Sequence, residues 1–284
     1  MERIGVIGGS GLYLMDGIED VRSVGVATPF GAPSDELTVG RIGDREVVFL
    51  PRHGRGHRYL PSDVNYRANI YALKFLGVTR IFSVSAVGSM KEEIELGVPV
   101  LVDQFIDRTH ARRSTFFGDG LVAHVSMADP TCGALRGLLA DCARDLAMPV
   151  HVGGTYVCME GPQFSSRGES FMHRQLGVDV VGMTNATEAK LAREAEICYE
   201  TIAIPTDYDC WHEVHADVSV GSVLEVLTTG TTRAKALIRE ALGRLDHVGP
   251  CACQSALKGA IMTDPARIPA ETRDRLGPIV AKYL

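Results

Sequence analysis

Ile4-Gly5-Val6-Ile7-Gly8-Gly9-Ser10-Gly11 reads as a buried strand that ends in a glycine turn. The same rhythm recurs along the chain. Residues 47–50, 81–85, 98–102, 178–181 and 199–204 are short apolar runs of strand length, and helical patterns lie between them. Pro61-Ser62-Asp63 supplies an N-cap for a helix on which Val64, Ala68, Tyr71, Ala72 and Phe75 share a face until Gly77 stops it. Asp129-Pro130 starts another, with Leu135, Leu138, Leu139, Cys142 and Leu146 on its apolar stripe. Asn185-Ala186-Thr187-Glu188 has capping-box spacing ahead of a helix reaching about Glu196. Residues 223–245 form a last long helix, interrupted by Thr228-Thr229-Gly230-Thr231. Strands separated by helices need crossover connections. The expected fold is one α/β domain over residues 1–284, a central mixed, partly parallel sheet flanked by helices.

The 284 residues are 45% hydrophobic and 23% charged, ordinary for a globular protein with a core large enough to need no staples. A net charge of −6 argues against a nucleic-acid surface. No apolar run is long enough to span a bilayer, and no targeting core precedes the first strand, so a cytoplasmic location is expected. Seven cysteines, an odd number, do not suggest a disulfide framework. Cys142 and Cys198 read as small core residues. Cys251-Ala252-Cys253 reads as a reduced pair near the surface, although two thiols so close could pair or meet one metal.

Chemistry gathers at the strand ends. In Gly8-Gly9-Ser10-Gly11 a tight strand exit and an anion-binding turn are both open, but Leu14 stands where a dinucleotide fingerprint needs a third glycine. Arg52-His53-Gly54-Arg55-Gly56-His57 fits a solvated basic loop and a phosphate loop equally; its glycines exclude a helical His pair. Residues 83–89, Ser-Val-Ser-Ala-Val-Gly-Ser, end a strand in small and hydroxyl side chains. Thr184 sits where a helix would aim free N–H groups at an anion. Together these junctions suggest a phosphate site built by several strand ends.

Asp207 and Asp209 alternate onto one face, as loop acids, metal ligands, or a proton donor with an N–H acceptor. Phe164, after a Gly-Pro turn, is a core aromatic or a ring able to stack on a planar base. His212-Glu213-Val214-His215 spaces its histidines i,i+3 where a zinc-protease helix needs i,i+4, and is rejected as a metal site.

These segments, with residues 28–33 (Thr-Pro-Phe-Gly-Ala-Pro), 64–69 (Val-Asn-Tyr-Arg-Ala-Asn), 103–109 (Asp-Gln-Phe-Ile-Asp-Arg-Thr), Glu160-Gly161-Pro162 and Thr206-Asp207-Tyr208-Asp209-Cys210-Trp211, resemble the methylthioadenosine phosphorylase branch of the trimeric purine nucleoside phosphorylases over nearly the whole chain. The resemblance implies that Ser10, Arg52, His53, Ser85, Ala86 and Thr184 bind phosphate, with Ser10 and Ser85 standing where relatives often carry Thr. It implies Met183 at the ribose, Phe164 and Ser165 beside the base, and Asp207 and Asp209 reading the purine. Val218, Val220, Val223 and Leu224 would wall an apolar pocket for the 5' substituent. His124 would reach that pocket from a neighbouring subunit of a homotrimer. Gln163 departs from an Arg common before the stacking Phe.

The activity so implied is phosphorolysis of a 5'-methylthio purine nucleoside by a pentosyltransferase. Inorganic phosphate is co-substrate, and no cofactor, metal, nucleic-acid or membrane partner is expected. Asp207, by accepting from a 6-amino group, and Val223, by leaving a 5'-hydroxyl unpaired, speak for adenine and a thioether over 6-oxopurine or general purine nucleosides. A nucleotide-cofactor oxidoreductase would need the complete glycine fingerprint. A non-catalytic nucleoside binder would not need so many phosphate-type donors.

Overall fold

A computed structural model describes residues 2–9, 12, 15, 17–212 and 220–284; the side chains of 220–225 lie outside that description. Among the described residues eleven strands form one sheet. In chain order they are β1 (Arg3–Gly8), β2 (Glu19–Val24), β3 (Leu37–Ile42), β4 (Arg45–Pro51), β5 (Val78–Ser89), β6 (Val100–Leu101), β7 (Gln104–Asp107), β8 (His151–Val152), β9 (Thr155–Cys158), β10 (Val180–Gly182) and β11 (Cys198–Asp207). The helices are α1 (Tyr66–Phe75), α2 (Gly133–Asp145), α3 (Arg167–Gln175), α4 (Asn185–Glu194), α5 (Val220–Arg244) and α6 (Ala270–Leu276).

The sheet runs β2-β3-β4-β1-β5-β10-β9-β7, and β11 also pairs with β5, leading to β6 and β8. β1 lies parallel to β4 and β5, and β11 lies parallel to β5. The β2–β3–β4 pairs and the β5–β10 pair are antiparallel, so the sheet is mixed, as expected. β5 is twelve residues long and is where the sheet forks. Its far end is flanked by β11 on one side and β10 on the other, and Gly88 pairs with both Asp207 and Val181. A fork of strand ends leaves a crevice, the usual place for a ligand in such sheets.

Helices cover both faces. On one, Ile70 and Leu73 of α1 pack with Leu191 and Ala192 of α4. On the other, Leu135 and Leu139 of α2 meet Leu237, Ile238 and Ala241 of α5. Among the described residues no helix is long and apolar enough to cross a membrane.

Several local expectations are corrected. The first helix is capped by Asn65, whose side chain accepts from the Ala68 amide, rather than by the Pro61-Ser62-Asp63 segment. Phe75, expected on its buried face, is 61% exposed, and Leu146, expected on the α2 stripe, is exposed too; each stands at its helix's C-terminal end, beyond the covering element. The Thr228–Thr231 segment does not interrupt α5. Gly230 is there because a Cβ would lie 2.1 Å from Ile204 Cγ2, so the glycine lets α5 approach β11. β2, β3, β7 to β9, α3 and α6 were not anticipated. β2 is mostly exposed and carries no apolar alternation, and β7 to β9 are four residues or shorter.

Candidate active site

The β5 fork gathers side chains from several segments around a buried polar network. Arg52 leaves the end of β4 and turns inward. Its Nε donates to Glu188 Oε1 at 2.5 Å, and Nη2 donates to Glu188 Oε2 at 3.1 Å and to Ser83 Oγ at 2.6 Å. Nη1 donates to the Val84 carbonyl at 3.0 Å. Glu188 also accepts from Ser83 Oγ at 2.7 Å and from the Tyr199 hydroxyl at 2.8 Å. The predicted capping box is therefore absent. Thr184 takes the N-cap position of α4 with no side-chain cap bond, and Glu188 serves Arg52 instead. Arg52, expected as an open fork for phosphate, has most of its donors committed; one Nη1 N–H is not used by these bonds.

Asn185 ties the network to the strands. Its Nδ2, with two hydrogens, lies within hydrogen-bonding distance of three acceptors, Ser83 Oγ, the Tyr199 hydroxyl and Thr201 Oγ1 at 3.2, 3.0 and 3.1 Å, and its Oδ1 accepts from Thr184 Oγ1 at 2.9 Å. Ser85 is buried, and its Oγ sits beside the Tyr156 phenol without forming a hydrogen bond of normal geometry. A buried hydroxyl left so is costly unless a ligand completes it. Ala86, the next residue of β5, is half-buried.

His53 follows Arg52 into a turn, not a helix, and its ring stacks on His57 with centroids 4.3 Å apart. Nδ1 lies 2.9 Å from the Tyr59 carbonyl, so it must carry the proton, and Nε2 is left as an acceptor. Burial, then the Arg52 charge, pushes the imidazole down to about 4, so it is neutral at neutral pH.

The acid pair closes the other side. Asp207 is the last residue of β11, and Asp209 lies beyond it with φ of 51°. The two do not share a face through strand alternation, because β11 ends and turns. An Asx-type turn brings them together instead: the Asp209 amide donates to Asp207 Oδ1 at 2.9 Å, and Thr206 Oγ1 donates to Asp207 Oδ2 at 2.8 Å. Burial and the neighbouring Asp209 charge hold the Asp207 carboxyl above its ordinary range despite those two donors. Asp209 Oδ2 is buried without a partner among the described residues.

Met183 lies between β10 and α4, its sulfur over Gly161, where a Cβ would come within 2.6 Å of it. Its carbonyl accepts from Arg112, which also donates to the Glu160 carboxylate at 3.0 Å and carbonyl at 2.7 Å. Burial opposes ionisation of Glu160, but Ser62, the amides of His110 and Ala111, and Arg112 hold it down at about 2. Phe164 is 48% exposed, so it is not a core ring. Ser165 is half-buried; its Oγ points to Met159 Sδ at 3.6 Å, and its carbonyl accepts from the Cys210 thiol. His124 is exposed on a segment held to the C-terminal region by its own amide and the Ala260 carbonyl, 2.9 Å apart. Ser10, Val218 and the side chains of Val220, Val223 and Leu224 lie outside the described residues, as does most of the His212–His215 motif.

Glu188, Asn185, Arg112 and Gly88 were missed as site residues. Each has an ordinary helical, strand or loop reading in sequence, and only Glu188, an acid inside a buried helix face, carried a usable signal.

A profile of the phosphorylase superfamily matches residues 3–243. The chain belongs to the phosphorylase superfamily. Within it, the chain is 60% identical over 282 residues to the S-methyl-5'-thioadenosine phosphorylase of Geobacter sulfurreducens, covering 99% of both chains. A crystal structure of methylthioadenosine phosphorylase from an antarctic soil metagenomic library superposes with a TM-score of 0.93 at 47% identity, over 98% of each chain. Methylthioadenosine phosphorylase from Schistosoma mansoni, in complex with adenine, superposes with a TM-score of 0.86 at 38% identity, covering 91% of this chain and 97% of that one. This superfamily membership makes the protein a pentosyltransferase of the purine nucleoside phosphorylase type, and its α/β fold is that of the solved nucleoside phosphorylases.

Proposed function

We propose that this enzyme splits 5'-methylthioadenosine with phosphate, giving adenine and 5-methylthioribose 1-phosphate. The observation that carries the reading is the Asp207–Asp209 pair, a half-buried carboxyl with a raised pKa beside a buried one with an unpaired oxygen, at the same sheet fork as the polar network of Arg52, Ser85 and Thr184. Sixty per cent identity to a relative of that name supports the substrate.

The reaction breaks the bond from C1' to purine N9 and forms one from C1' to a phosphate oxygen. Positive charge grows on the sugar and negative charge on the base, as in glycoside hydrolysis. Phosphate beside the sugar stabilises the first. Asp207, whose carboxyl burial holds above its ordinary range, supplies a proton to purine N7 and neutralises the second. Asp209, through its free Oδ2, accepts from the base's N–H groups. Neutral His53 accepts the single O–H of monohydrogen phosphate at Nε2, the unpaired Ser85 hydroxyl donates to another oxygen, and Thr184 turns its hydroxyl from Asn185 to a third. Ser10, the backbone at Ala86 and the spare Arg52 N–H complete that shell. Phe164 and Ser165 flank the base, Met183 lies under the ribose, and Val218, Val220, Val223 and Leu224 wall the thioether. In a homotrimer, exposed His124 reaches the neighbouring pocket.

Base release from methylthioadenosine, adenosine, methylthioinosine and inosine, with and without phosphate, tests this. Phosphate-dependent adenine release, fastest from methylthioadenosine, is the expected outcome. Release without phosphate would make the enzyme a hydrolase, and preference for the inosines a 6-oxopurine enzyme.

A further inference from the structure

Four cysteines from three distant parts of the chain converge on one point. Cys132 is the N-cap of α2, Cys198 opens β11, and Cys251 and Cys253 flank one residue in the C-terminal segment. Their sulfurs all lie within 4.8 Å of one another. Cys251 Sγ is 3.1 Å from Cys198 Sγ and 3.7 Å from Cys132 Sγ. All four thiols are free. Cys251-Ala252-Cys253 is thus not the surface pair its sequence suggested, since Cys253 is only 6% exposed.

We propose that this cluster is a structural zinc site with four thiolate ligands. In a tetrahedral site with Zn–S bonds of about 2.3 Å, neighbouring sulfurs stand about 3.8 Å apart. The cluster already has that size, so small side-chain shifts convert it. Four sulfur ligands with no carboxylate or imidazole among them suit a soft or borderline ion. Core packing explains one or two buried thiols. It gives no reason for three separate segments to aim four sulfurs at a common centre.

The surroundings fit the charge. A zinc tetrathiolate carries two net negative charges. The Arg193 guanidinium acts electrostatically on Cys253, a cation placed to offset part of that charge. The fold already joins two of the pieces, because the Cys132 amide donates to the Tyr199 carbonyl at 2.8 Å. A 3-10 turn at Ala252–Ser255 places the Cys-Ala-Cys pair.

Such an ion would clip the C-terminal segment to the start of β11, closing long loops in the folded chain. It would lie roughly 30 Å from Asp207, at the other end of the same ten-residue strand. The clipped segment carries Ala260, which anchors the His124 backbone.

The test is metal content and thiol count on intact protein purified without chelator. Expected are about one zinc per chain, protected thiols, and zinc released in step with their titration by a mercurial. Cys251→Ser should surrender zinc to a chelator that the unmodified protein withstands, whereas Cys142→Ser should not. Stripping the zinc should lower the melting temperature. Metal-free protein with four reactive thiols, a native mass lowered by the hydrogens lost to disulfides, iron in place of zinc, or undiminished zinc retention in Cys251→Ser would each overturn the assignment. The direct measurements on unmodified protein decide the matter even if a variant folds poorly.

Discussion

Arg52 and Glu188 neutralise each other inside the protein: Nε lies 2.5 Å from Oε1, and each side chain is only 3% exposed. The guanidinium that sequence marks as an open phosphate clamp is thus part of a buried pair, with Ser83 and Tyr199 satisfying the remaining carboxylate lone pairs. Breaking such a pair from one side strands a buried charge, which costs about 3–5 kcal/mol. Glu188→Gln should lower stability on that scale, read as a shift in urea midpoint, and phosphate should protect the variant more than the parent because it resupplies the missing negative charge. An unchanged midpoint would show that the pair is not held in solution.

Asp207 governs both proton delivery and base choice. Asp207→Asn replaces the carboxyl whose pKa burial raises with an amide that neither supplies that proton nor presents the same acceptors. Activity on adenine nucleosides should fall by about 10²–10⁴-fold, the usual range for a lost general acid. Activity on hypoxanthine nucleosides should fall less, so the substrate ratio of kcat/KM moves toward the 6-oxopurine. An unaltered ratio would remove Asp207 from base recognition.

Gly88 sets the position of that acid. A Cβ there would lie 2.9 Å from both Asp207 Oδ1 and Val181 Cγ1, and 3.4 Å from Asp209 Cβ. Gly88→Ala should displace the acid pair while the rest of the sheet persists, and misplacement of about 1 Å costs on the order of 10²-fold in rate. Steady-state kinetics alongside thermal unfolding would separate the two effects. A variant with full kcat would mean that the pair can shift without penalty.

His53 makes stability depend on acid. Its folded pKa is about 4, whereas an unfolded histidine titrates near 6.5. Between those values the unfolded chain binds more protons, so this share of stability falls as pH falls. It is intact above about 6.5 and fully lost below about 4, at a cost of up to about 3 kcal/mol. In phosphate-free buffer, the parent should lose more stability between pH 7 and pH 4.5 than His53→Gln does. Equal losses in denaturant unfolding would contradict a neutral, buried imidazole.

How much was legible follows from range. Periodicity in the strands at residues 4–7, 47–50 and 199–204, and in the helices around Leu135 and Ala68, is local, because a two- or 3.6-residue repeat records which face is buried. The mixed α/β sheet followed from it. Residue types at strand ends marked Arg52, His53, Ser85, Thr184 and Asp207 for the same reason. Partnership is not local. Arg52 and Glu188 are 136 positions apart, and nothing near either announces the other. Asp209 reaches Asp207 through a turn at φ of 51°, not by strand alternation. Cys251-Ala252-Cys253 looked like a surface pair because Cys132 and Cys198 meet it only after the sheet closes. Sequence alone determined the layers of the fold and the kinds of group at its strand ends, since short-range periodicity and side-chain chemistry suffice for both. The tertiary structure decided which charges are spent on each other and which remain for a ligand, since that depends on what the fork at β5 brings within hydrogen-bonding distance.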